Sequence, residues 1–150
     1  MKSFVFRLER VFRLREQIER QRAQALAQAM RDEQQRRDAL ERAAAQLDRC
    51  SAQAAGTEGT IAPAGVLQNL GIAMAAVAQQ VEQARVSHRE AEASVANETE
   101  QFGEARRDRR VVERLRERQQ SEWDTAQSRD EQKEIDGVAA RRHEPPGGKP

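Results

Sequence analysis

The chain has no tyrosine, one tryptophan, four phenylalanines and one cysteine in 150 residues, and each shortage narrows what it can be. With aromatics at 3%, the bulky groups that fill a globular core are missing, which argues against a compact enzyme although the length suits one domain. A lone Cys50 cannot close an internal disulfide. The first residues interleave Phe4 with Arg7, Glu9 and Arg10 where a secretory signal needs an unbroken apolar run, so the cytoplasm is the expected compartment. An excess of one charge is also missing: 26 basic against 25 acidic groups leave a formal net charge of +1. That is too little to hold a polyanion by counterion release, and nucleic acid is not an expected partner. The least polar stretch, Ile61 to Ala78, contains Pro63, Gly65, Gln68, Asn69 and Gly71, which argues against a membrane-spanning helix.

Charged side chains make up 34% of the chain, and Ala, Arg, Gln and Glu dominate, the composition of long helices or coiled coils. Full disorder is the competing reading. From Phe4 to Ala54 there is neither Gly nor Pro, and apolar residues recur at Leu8, Val11, Leu14, Ile18, Ala25/Leu26, Ala29, Leu40, Ala43/Ala44, Leu47 and Ala54. Spacings of three and four draw a narrow stripe along one helix face. The stripe changes phase near Ala25 and Leu26, as a stutter in a coiled-coil seam would. Acid-to-base pairs four residues apart, such as Glu9/Arg13, Glu16/Arg20, Asp32/Arg36, Glu33/Arg37 and Asp38/Arg42, mark the wet face.

Three glycines and a proline between Ala55 and Gly65 break the helix and predict a reversal. Beyond it a second lattice of period seven runs through Leu70, Val77, Ala84, Ala91, Ala105, Val112 and Ala126, interleaved with Val66, Ala73, Val81, Val95, Phe102, Leu115 and Trp123, and continues to about Ile135 or Val138. The pattern predicts an all-α fold: a long antiparallel two-helix coiled-coil hairpin with helices over about 4–54 and 66–139, a turn over about 55–65, and a disordered tail at 141–150. Residues 1–140 form a single domain in this reading. Gly71 and Gly103 each cost a helix roughly 1 kcal/mol against Ala, so a short separate helix or a kink near the turn is an open alternative. The second segment is the longer, so either its last turns project or a kinked portion absorbs the excess. Leu8, Val11, Ile18, Leu26, Val95, Phe102, Val112 and Trp123 are the expected seam.

Chemistry-bearing patterns are sparse. Gly147-Gly148-Lys149 lacks the spacing of a phosphate loop. His88 and His143 are 55 positions apart with no second His or Cys nearby to complete a zinc site, so no metal is expected and His88 reads as a surface or seam residue. Cys50 reads as a small seam residue. The run Arg106, Arg107, Arg109, Arg110, Arg114, Arg116 and Arg118 is interleaved with Glu104, Asp108, Glu113 and Glu117 and reads as a solvated or protein-contacting face. No catalytic constellation, cofactor motif or small-molecule substrate site emerges.

Both ends are more specific. Phe4-Val5-Phe6-Arg7-Leu8-Glu9-Arg10-Val11 with Leu14-Arg15-Glu16 resembles the opening of flagellar FliJ proteins. Val112-Glu113-Arg114-Leu115 and Arg118-Gln119, leading through Trp123 to Glu131-Gln132-Lys133-Glu134-Ile135-Asp136, resemble the family's closing helix. The resemblance implies a non-catalytic protein similar to the central stalk of rotary ATPases. It would insert its joined terminal ends into the flagellar export ATPase hexamer, promote ring assembly and contact the membrane-embedded export gate protein, with export chaperones as further partners. It would be cytoplasmic and peripherally associated with the inner-membrane export apparatus.

Carried over, the family's terminal motifs make Arg7, Arg10, Gln132, Lys133 and Asp136 the candidates for ring contact. The gate-contacting patch, aromatic in the family, corresponds here to Leu40, Ala44, Leu47, Ala73, Val77 and Ala84, a departure in chemistry. Two alternatives remain open from the residues: the stalk of a virulence-type secretion ATPase, and a homo-oligomeric coiled-coil scaffold unrelated to export.

Overall fold

The computed structural model describes residues 3–57 and 63–142, and among these the regular structure is two helices with no strand. Helix α1 spans Glu9–Thr57, 49 residues, and α2 spans Ala64–Arg142, 79 residues. They pack against each other as an antiparallel helical hairpin, since the contacts on α2 fall in number as those on α1 rise. The expected turn is narrower than 55–65: Ala55 to Thr57 belong to α1, Pro63 leads directly into α2, and residues 58–62 lie outside the described residues. Of the expected disordered tail, Arg141 and Arg142 continue α2 and residues 143–150 lie outside the described residues.

Helix α1 starts at Glu9 rather than near Phe4, and the reason is tertiary. In a helix Phe4 and Phe6 would point to different faces, whereas an extended segment turns residues two apart to the same side. Here Phe6 is 5% exposed, and the Phe4 ring lies 6.3 Å from that of Trp123 at 55°. The Glu9 N–H donates to the Phe6 carbonyl at 3.2 Å and the Phe12 N–H to the Leu8 carbonyl at 2.9 Å, which begins the helix. Glu9 places a carboxylate at its positive end. At α2 the Val66 N–H donates to the Pro63 carbonyl at 2.9 Å; proline suits this position because its missing N–H has no intrahelical partner to lose.

Helix α2 runs unbroken through Gly71 and Gly103, so the separate short helix is absent. A Cβ added at either glycine meets nothing within 4 Å. Packing therefore does not require glycine there, and the adjoining helix offsets its intrinsic cost.

The chain divides into two compact units, residues 19–105 and residues 1–18 with 106–150. In the first, the two helical arms are nearly equal in length, and the core is Ala29, Val77, Val81 and Ala105, flanked by half-buried Leu26, Leu40, Leu47, Val95 and Phe102. Small core residues let helix backbones approach closely, at the cost of little apolar area per residue. Polar links cross between the helices: Arg36 donates to the Ser87 hydroxyl at 2.9 Å, and His88 meets Glu33.

In the other unit Phe6 is the buried anchor. Around it Arg15 bonds Asp108 at 2.8 Å, and Arg116 lies 5.4 Å over the Phe12 ring and 3.8 Å from Glu9. Exposed ion pairs of this kind contribute little each, so the aromatic contacts dominate. The greater length of α2 is spent here: from Asp124 to Ala139 all side chains are exposed except Gln127 and Gly137. The last turns of α2 therefore continue past the segment that meets it at Trp123.

Candidate functional site

The exposed end of α2 owes its stability to contacts within itself. Gln127 donates to Glu131 at 3.1 Å, Gln132 to Asp136 at 2.8 Å, and Lys133 lies 3.3 Å from Asp130. Each is a pairing three or four residues apart, worth a few tenths of a kcal/mol. Among these polar groups Ile135 is 62% exposed and Val138 46%, and with Glu134 they line an open groove of about 300 Å³. The period-seven lattice runs the seam to about Ile135 or Val138, yet both side chains are exposed.

The five residues carried over for ring contact all lie in this unit and are all exposed. They do not form one tight cluster. Arg7 and Arg10 flank the start of α1, level with the stretch between Arg116 and Trp123. Gln132, Lys133 and Asp136 follow at least nine residues beyond Trp123, roughly 14 Å of helix rise.

Among the seam residues, Ile18, Leu26, Val95, Phe102, Val112 and Trp123 are half-buried, whereas Leu8 and Val11 are exposed. Of the gate-contact candidates, Leu40, Ala44, Leu47 and Ala84 are half-buried and Ala73 is exposed. Val77 belongs to the core. The apolar side chains that do face outward near the start of α2 are Val66, Leu67 and Ile72. Further along, Gln79, Glu82, Gln83, Val86, Ser87 and Glu90 line an open groove of about 350 Å³ on α2. Among the described residues no helix is long and apolar enough to cross a membrane.

One constellation was invisible in the sequence because its members lie on both helices. His88 Nε2 is 2.9 Å from Glu33 Oε1, His88 Nδ1 is 3.7 Å from Glu92 Oε2, and Arg37 Nη2 is 2.7 Å from the same Glu33 oxygen. The hydrogen bond with His88 holds the Glu33 carboxyl below its ordinary range, with Arg37 acting in the same direction and desolvation opposing.

An all-helical hairpin with a thin core of alanine and valine in one unit and a buried phenylalanine in the other defines a coiled-coil protein. The family model of the flagellar FliJ protein matches residues 3–147, nearly the whole chain. The chain belongs to the flagellar FliJ family, and so to the components of the flagellar export apparatus. No curated protein and no solved structure matches it.

Proposed function

We propose that this protein is a non-catalytic stalk of the flagellar type III export machinery, which binds the export ATPase hexamer, promotes its assembly and couples it to the membrane-embedded export gate. It acts in the cytoplasm, peripherally attached to the inner-membrane apparatus, with export chaperones as additional partners. Family membership supports the setting. The observation that carries the mechanical part is the end of α2: a solvated helix exposing Ile135 and Val138 beside Gln132, Lys133 and Asp136.

A lone helix leaves apolar side chains in water unless a partner covers them, and covering the part of these two that is still exposed yields roughly 1–2 kcal/mol each. Arg7 and Arg10 add cations suited to bidentate contact with carboxylates on a ring. Gate contact falls to the other unit, through Leu40, Ala44, Leu47, Ala73 and Ala84. There the exposed Leu67 and Ile72 offer the apolar surface that the buried Val77 cannot.

The test is ATP hydrolysis by the purified flagellar export ATPase with and without the full chain, together with ring counts by negative-stain microscopy. Stimulated turnover with more rings is the expected result. No effect on either, with no co-elution, overturns the reading; a stable homo-oligomer under those conditions would favour the scaffold instead.

A further inference from the structure

We propose that Glu33, His88 and Glu92 form an interhelical binding site for a divalent transition-metal ion of the zinc class. One ligand-capable atom from each residue lies within 4.8 Å of the other two. His88 and Glu92 are one turn apart on α2 and project over the same face. Glu33 closes the site from α1. Four-coordinate zinc, with bonds of about 2.0–2.1 Å, holds its ligand atoms roughly 3.3 Å apart. Glu33 lies 2.9 Å from His88 Nε2 and Glu92 3.7 Å from the other ring nitrogen, Nδ1; one ion takes only one of these nitrogens, and with one ligand atom per residue inside 4.8 Å side-chain rotations draw the three donors inward to that spacing.

The donor set decides the class of metal. An imidazole with two carboxylates suits Zn²⁺, Co²⁺ or Ni²⁺, whereas Ca²⁺ and Mg²⁺ prefer all-oxygen shells. The side chains of His88 and Glu33 are each 14% exposed and that of Glu92 is 56% exposed. Two ligands are thus sheltered, and the third side is open to the water that completes a three-residue coordination shell.

Arg37 is the competitor, with its guanidinium on the Glu33 oxygen. Because that side chain is half-exposed, a divalent ion displaces it toward solvent. Arg36 and Arg85 are engaged with Ser87 and Glu82. A bound ion would fasten α1 to α2 in a unit whose buried core, among the described residues, is alanine and valine. This inference is independent of the stalk reading.

The experiment is calorimetric titration of the metal-free full chain with Zn²⁺ near neutral pH, paralleled by Co²⁺ absorption spectroscopy, on wild type and on H88N, E92Q, R37Q and H143N. Saturable binding of one ion per chain is expected, weakened about tenfold or more in H88N and E92Q, tightened in R37Q and unchanged in H143N. Zinc should also raise the unfolding midpoint of the wild type and leave that of H88N in place. E92Q alters an exposed side chain, so its effect is not one of misfolding, and circular dichroism verifies helicity for all variants. Absence of stoichiometric binding, or binding that survives both H88N and E92Q, overturns the proposal.

Discussion

Phe6→Ala is the substitution to which the terminal unit should be most sensitive. Phe6 is 5% exposed and lies in the non-helical segment ahead of α1, where its carbonyl also receives the Glu9 N–H. Truncating a buried phenylalanine costs about 3–5 kcal/mol, combining the lost transfer energy with that of the cavity. Because the segment is not locked in a helix it can partly collapse, so the low end, about 3 kcal/mol, applies. With a urea slope of roughly 2 kcal/mol per molar, the midpoint should fall by about 1.5 M. Fluorescence is the natural probe, because Trp123 is the one tryptophan and makes a tilted ring contact with Phe4 in the same unit. The control is V5A, next door but 76% exposed, for which less than about 0.5 kcal/mol is expected. If F6A and V5A unfold alike, the anchoring role of Phe6 is wrong.

Gly71→Ala and Gly103→Ala should each stabilise the protein by roughly 0.5–1 kcal/mol, since a Cβ meets nothing at either position; a lower melting temperature would mean that the glycines serve the packing after all. Glu33, whose folded pKa is depressed, contributes stability that is present above the ordinary carboxylate range and is lost as pH falls through its folded value. The stability of E33Q should therefore fall less steeply than that of wild type on acidification below about pH 4.5; parallel curves would remove the His88–Glu33 bond from the account. The double variant I135S/V138S should keep wild-type helicity and melting within about 0.5 kcal/mol, because both side chains are exposed; marked unfolding would show that they pack within the chain.

The hairpin was legible because two long stretches with apolar residues at helical spacing flank a glycine-rich break, and local pattern suffices for that. Some local pairings were legible too: Glu9 with Arg13 and Glu33 with Arg37 form at 3.1 and 2.7 Å, whereas Arg36 leaves Asp32 for Ser87 across the seam. What local pattern cannot carry is the register between the helices. Hence Glu33 and His88, 55 residues apart in the chain, gave no joint signal. The start of α1 was misplaced because Phe4, Leu8 and Val11 fit helical spacing equally well. Only the burial of Phe6 and the Phe4 ring's contact with Trp123 decide for a non-helical segment. The excess length of α2 allowed a kinked portion near the turn or a projecting end, and the exposed stretch after Trp123 puts excess length at that end.

The most direct measurement is ATP turnover by the flagellar export ATPase titrated with the wild-type chain and with I135S/V138S. The account predicts saturable stimulation by the wild type and its loss in the double variant at unchanged helicity. Equal stimulation by both chains, or none by either, would contradict it.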